Sequence, residues 1–282
     1  MKFFSFIFIA LLPVIVHAQM RPIASSVELH LGTASVRNTY LAPLLYKGSD
    51  MSIGYERARD WRFTPWSSLQ TLVGQFTMGE DKGAHSENWS GRLRYRYAAH
   101  YNWELAYDDL KLGVGPYAGT EVGFDYNLKM ASANNPATAR FVANTGISAL
   151  ATYEYSVPRF RDHHGVLNLS VQAPLLGYAL MPEYGASYYE SFLLNNTSNQ
   201  HHFTSLHNLQ DLDVKLTTDF NLSKNAAAGA LRLGVGYHIE TMAINDIHTR
   251  MSSFEAIVGW TFRSIPYSNI TKSVRACEII EL

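Results

Sequence analysis

Arg92, Arg94 and Arg96 stand two residues apart in the stretch RLRYRYAAHYNW, residues 92–103. A guanidinium is a planar, permanently charged fork that pairs with carboxylates and phosphates and stacks on aromatic rings. The stretch could therefore serve a nucleic-acid platform, a charged cleft or the wall of a pore. A second group, His201, His202 and His207, has the imidazoles for a metal but loose spacing in a connecting segment. Ser187, Ser205, His202, His207 and Glu190 form the pool from which a nucleophile, base and orienting acid would be drawn, and nothing in their spacing selects a triad. No G-x-S-x-G, H-E-x-x-H or phosphate-loop pattern occurs, so no catalytic residue, metal ligand or cofactor is assigned, and an enzyme is the less favoured class.

The start of the chain argues against nucleic acid. Lys2, the apolar run FFSFIFIALLPVIV and the small-residue site Val16-His17-Ala18 read as a secretory signal peptide over residues 1–18. The formal net charge of −1 leaves no basic surplus for a polyanion. Cys277 is the single cysteine, so no internal disulfide is available. About 260 residues remain, with no linker or repeat, which favours one domain.

At period two, Trp89, Leu93, Tyr95, Tyr97, Tyr101 and Trp103 share one face of the opening stretch, and Arg92, Arg94, Arg96, His100 and Asn102 share the other. Similar alternation surrounds residues 27–31, 51–56, 111–124, 141–154, 167–172, 212–220, 231–240 and 254–262, with a less regular segment at 66–78. Ten strands, no helix and an export signal predict an antiparallel transmembrane β-barrel of the Gram-negative outer membrane. Twelve strands or a secreted β-sandwich are the alternatives. Aromatic residues near the strand ends support the barrel: Trp61, Trp66, Trp103, Tyr153, Tyr155 and Trp260 at one end, Tyr40, Trp89, Tyr126 and Phe141 at the other. With a periplasmic N-terminus, the external connections fall at 36–50, 79–88, 127–139, 181–208 and 242–251, and shorter turns lie between them. Pro116 and Pro174 interrupt strands and imply a bulge, a kink or a misplaced boundary.

The polar faces then line the lumen. Glu56, Arg92, Arg94, Arg96, Glu121, Glu154, Arg232, Glu240 and Glu255 form an expected network of mixed sign, with Glu56, Glu121 and Glu154 the expected partners of the three arginines. A barrel of this size is only a little wider than one that side chains fill. The expected function is a structural or surface-binding barrel with a largely filled lumen; a narrow channel for small solutes or lipids and a rim-sited hydrolase are the alternatives. Tyr184, Tyr188, Tyr189 and Phe192, in an unusually aromatic connection, are candidates to bind a surface glycan or a protein. Outer-membrane lipid is the expected surrounding partner, nucleic acid is not expected, and oligomeric state is left open.

The stretches QAPLLGYALMPEYGASYYESFLLNN (172–196) and RNTYLAPLLYKGSDMSIGYE (37–56) resemble a family of outer-membrane β-barrel proteins from Bacteroidetes that has no agreed activity. The resemblance implies a barrel and a location, and no catalytic residue. The expected organisation is a signal peptide over 1–18, a barrel over 19–265 and a periplasmic extension over 266–282. The last strand ends at VGWTF, well before Leu282, unlike outer-membrane proteins that stop on an aromatic residue.

Overall fold

The computed structural model describes residues 23–61, 64–104, 109–128, 136–156, 164–183, 199–221 and 229–263. The expected signal peptide, the C-terminal extension and Tyr184, Tyr188, Tyr189 and Phe192 lie outside these residues. Eleven strands follow one another among the described residues: β1 (Ile23–Asn38), β2 (Ala42–Asp60), β3 (Trp66–Glu80), β4 (Glu87–Glu104), β5 (Leu110–Asn127), β6 (Ala137–Ser156), β7 (His164–Leu180), β8 (His201–Ser205), β9 (Leu209–Asn221), β10 (Ala230–Ile244) and β11 (Ile247–Arg263). Every pairing is antiparallel, β6 joins β7, β7 joins β9, and β1 pairs with β11 from Ala24↔Arg263 to Asn38↔Thr249. The sheet thus closes into a ten-stranded barrel, with β8 as an extra strand that pairs with the end of β7 beyond β9.

Alternation determines which face each side chain takes. Ile53 is 61% exposed on the outer wall while its neighbour Ser52 is 1% exposed in the lumen; Leu93 is 52% exposed between Arg92 at 5% and Arg94 at 6%. Water is absent from the hydrocarbon layer, so the backbone must satisfy itself, and a closed ladder does so without a free edge. One aromatic girdle is continuous at the end holding the termini: Trp61 stacks on Trp66 at 6.1 Å, Trp66 meets Tyr101 edge-on at 5.5 Å, and Tyr101 meets Trp103 at 5.0 Å. At the far end Trp89 and Tyr126 are exposed on the outer wall and paired in register. Tyr40, expected in that girdle, instead packs against a buried apolar cluster.

Both prolines mark local faults. The β6–β7 register shifts where Thr145 faces Leu176 and Gly146 faces Pro174, which leaves Leu175 as the extra residue of a bulge. The β4–β5 ladder lapses opposite Gly115 and Pro116 and resumes in the same register at Tyr101↔Val114. The far-end connections are tighter than expected in two places. β1 and β2 are joined through residues 39–41, and β10 and β11 turn at Asn245 and Asp246, both at positive φ (53° and 62°), which suits a two-residue hairpin turn. The segment expected as one connection, 181–208, contains β8. Its outer edge is covered by the Asn208 amide, whose Nδ2 donates to the Phe203 carbonyl at 3.0 Å while its Oδ1 accepts from the Ser205 N–H at 2.8 Å.

Candidate functional site: the barrel lumen

The inward side chains form tiers along the barrel. Nearest the termini, Arg232 donates from Nε and Nη2 to Asp219 at 2.7 and 2.9 Å, and from Nη1 to Glu28 and Glu56 at 2.7 and 2.6 Å. Lys215 joins the same two glutamates at 2.8 and 2.6 Å. Two cations therefore hold three carboxylates from β1, β2 and β9, with Glu28 and Glu56 more than 150 positions before Asp219 in sequence.

The next tier holds two of the opening arginines. Arg94 reaches Asp213 at 3.4 Å and donates to Gln75 Oε1 at 3.1 Å; Arg96 meets Asp211 at 2.9 Å, Asp213 at 3.1 Å and Gln172 at 3.2 Å. His30 bridges Glu255 at 2.7 Å and Glu28 at 3.0 Å, and His238 meets Asp211 at 3.0 Å. A cavity of about 60 Å³ lies here, lined among others by Glu28, Arg94, Arg96, Asp213, Lys215 and Glu255. Its size suits a few water molecules. Gly54 keeps this tier open, because a Cβ there would stand 3.1 Å from His30 Nε2 and 3.3 Å from Glu28 Oε2.

Arg92 belongs to a third tier, with Glu121 at 3.1 Å and Asp125 at 3.7 Å. Arg140 is its centre, placed between Glu121 at 2.6 Å and Glu240 at 2.5 Å. Gly123 is the spacer between the guanidinium groups: a Cβ there would stand 3.1 Å from both Arg140 Nε and Arg92 Nη1. Burying these ions is tolerable because each finds a partner of opposite sign, although Arg140 Nε and Arg94 Nε have no hydrogen-bond partner among the described residues.

Beyond the third tier the lining changes character. Val142, Ala179, Met181, Leu209, Met242, Ile244 and Ile247 form a buried apolar cluster, with a second of Ala34, Val36 and Met251. These residues sit on inward positions of β1, β6, β7 and β9–β11 toward the far ends of the strands, so an apolar plug fills that side of the lumen, while β2–β5 present polar inward side chains there, among them Thr77, Asn88, Ser90 and Asp125. At that mouth Tyr46 Oη, Ser86 Oγ and Asn127 form a small polar cluster, with Asn127 Nδ2 donating to Tyr46 at 2.6 Å.

The expected network residues separate as follows. Glu56, Arg92, Arg94, Arg96, Glu121, Arg232, Glu240 and Glu255 all face the lumen, but their pairing differs from expectation. Only Glu121 of the three expected carboxylates meets one of the arginines; Glu56 serves Arg232 and Lys215. Glu154 is a correction: it is exposed near the end of β6 opposite Val166, with its backbone N–H bonded to the Asp109 carbonyl at 2.8 Å, where the lumen opens to water. Arg140 was missed because it abuts an expected connection, although it continues the inward series of Asn144 and Ser148. Asp211 and Asp213 lie on the inward face of β9 and are the cross-lumen partners.

Two serine–histidine contacts occur among the described residues. His100 Nε2 and Ser148 Oγ, 2.8 Å apart, are fully buried in the lumen wall, and His100 Nδ1 has no hydrogen-bond partner to orient the ring. Ser205 Oγ and His207 Nδ1, 2.5 Å apart, are exposed at the far rim, but the contact spans two residues and no carboxylate joins it among the described residues. His202 instead contacts the Asn199 carbonyl at 2.7 Å and Asn245 at 2.8 Å, and His201 bonds Tyr178. Ser187 and Glu190 lie outside the described residues. Among those described, no group of three or more His, Cys, Asp or Glu side chains is placed to hold a metal.

Among solved structures, the outer membrane protease OmpT from Escherichia coli aligns with 88% of this chain and 99% of its own at 8% identity, with a TM-score of 0.50. At that identity the likeness carries the barrel fold alone. The translocator domain of the autotransporter NalP from Neisseria meningitidis aligns over 87% of this chain and 89% of its own, at 11% identity and a TM-score of 0.40. No curated protein matches the chain. The chain belongs to the family described as proteins of unknown function (DUF3316), which it matches over residues 15–265.

Proposed function

We propose that this chain resides in the outer membrane as a barrel closed to bulk diffusion, acting as a structural or surface-binding protein. The observation that carries this reading is the filling of the lumen: three tiers of ion pairs, then an apolar plug spanning β1, β6, β7 and β9–β11. Charged groups bonded to one another are unavailable to a passing solute, and inward apolar side chains offer a hydrated ion nothing in exchange for its water. Even strand number puts both termini at one end, which is assigned to the periplasm, so the plug and the long connection after β7 face outward. That connection carries Tyr184, Tyr188, Tyr189 and Phe192, the candidate contacts for a surface glycan or protein.

Two experiments test the reading. Proteoliposomes containing the folded chain should swell no faster in small sugars than empty liposomes; swelling at the rate of a general porin overturns the closed lumen. Deleting residues 184–198 should leave heat-modifiable gel mobility intact while abolishing attachment to glycan or protein arrays. Retained attachment overturns the surface-binding role.

A further inference from the structure

The outer wall changes chemistry at the far end of the closing seam. On β1 the outward series Val27, Leu29 and Leu31 is apolar and exposed, and it gives way to Thr33, Ser35 and Arg37. On β11 the outward series Phe262, Val258 and Phe254 gives way to Ser252, Arg250 and His248. Register places Arg37 directly opposite Arg250 and Ser35 opposite Ser252, whose hydroxyls meet at 2.8 Å. Both arginines are exposed, and among the described residues neither has a carboxylate within ion-pair distance. Lys47 is also exposed on β2, beside Ser35 and opposite Glu80 on β3.

Like charges directly opposite on one face of an antiparallel pair destabilise it, with Cβ atoms about 5 Å apart. Two guanidinium groups at that spacing can grip one tetrahedral dianion, since each fork donates paired N–H groups to its oxygens. Their place is where the outward residues cease to be apolar, the depth of headgroups rather than acyl chains. We infer that Arg37 and Arg250 form a binding site for the phosphate of a phosphorylated glycolipid in the outer leaflet, which clips the seam where the first and last strands meet. The inference rests on the outer-membrane reading and its orientation. It gives a use to a like-charge pair that the barrel fold alone would disfavour.

The test uses the full chain folded in detergent micelles, with unfolding temperature measured alone and with bisphosphorylated lipid A, dephosphorylated lipid A or inorganic phosphate. Bisphosphorylated lipid A should raise the midpoint, and the other two should leave it unchanged. In R37Q/R250Q the lipid-induced rise should vanish, while the lipid-free midpoint stays level or rises because the repulsion is gone. Each single Gln variant should bind the lipid about tenfold more weakly, as loss of a charge-assisted contact implies, and R37K should bind better than R37Q. A rise that persists in the double variant, or that dephosphorylated lipid reproduces, overturns the inference. A rise with inorganic phosphate alone assigns the pair to a free anion and overturns the lipid assignment. Gel mobility of unboiled samples distinguishes the two readings: loss of the heat-modifiable form counts against the barrel, whereas a folded barrel indifferent to lipid counts against this site alone.

Discussion

The ion tier around Arg140 and the apolar plug beside it fill neighbouring lengths of one lumen by opposite means. In the tier, Arg140 is held between Glu121 and Glu240 at 2.6 and 2.5 Å. In the plug, Met242, Ile244 and Ile247 pack with Val142 and Leu209. The tier is fixed by charge and direction, so removing one member leaves ions stranded. The plug is fixed by volume, so removing one member leaves a void. The outward face is apolar around the tiers and turns polar beside the plug, at Thr33, Ser35 and Arg37 on β1 and at Ser252, Arg250 and His248 on β11, so the inner and outer faces are set independently, as a two-residue period permits.

The contrast can be broken most strongly at its hub. Arg140→Ala should destabilise the detergent-folded barrel by about 3–5 kcal/mol, because two buried carboxylates lose their shared partner. Replacing Arg140→Met together with Glu240→Leu should recover part of that loss by extending the plug into the tier while Glu121 keeps Arg92; chemical unfolding of the single and double variants reads both. Met242→Ala should cost about 2–5 kcal/mol by opening a void, and the loss should be insensitive to salt and pH. Arg94→Ala should cost less, about 1–3 kcal/mol, because Asp213 keeps 27% of its side chain exposed and Gln75 is the main group left unsatisfied. Removing Asp213 as well should return part of it.

The smallest expected effect lies in the connection between β3 and β4. The Ser86 N–H donates to Asp81 at 2.8 Å, joined by those of Gly83 and His85, and these bonds hold the Asp81 carboxyl below the ordinary aspartate range. Lowering in the folded state means that the stabilisation is present above the unfolded pKa and fades as pH falls through the folded one. Asp81→Ala should therefore increase proteolysis of this connection at neutral pH and change little in strong acid.

The sequence made the strands legible because an apolar outer face and a polar lumen enforce alternation, and all ten barrel strands coincide with segments of alternating character. It concealed how far the strands run. β1 and β2 continue to Asn38 and from Ala42, where Thr33, Ser35 and Arg37 have replaced apolar outward residues but the backbone still pairs. The plug was illegible for the same reason: Ile244, Ile247 and Met251 are inward yet apolar, so the rule that polar means lumen assigned them to a connection. Partnerships across the lumen, such as Arg96 with Asp211, depend on barrel closure and leave no local trace. Arg232 with Asp219 was nearer to legible, since the two are register partners on adjacent strands.

The filled lumen is tested most directly by single-channel recording in planar bilayers, comparing the wild type with a variant emptied at the plug, Met242→Gly with Ile244→Gly and Ile247→Gly. The folded wild type should add no steady conductance at moderate voltage, and the emptied variant should conduct in brief events limited by the ion tiers. Stable, ohmic steps from the wild type, altered in ion selectivity by Arg94→Ala or Arg96→Ala without loss of stability, would contradict it and identify the arginines as the wall of an open path.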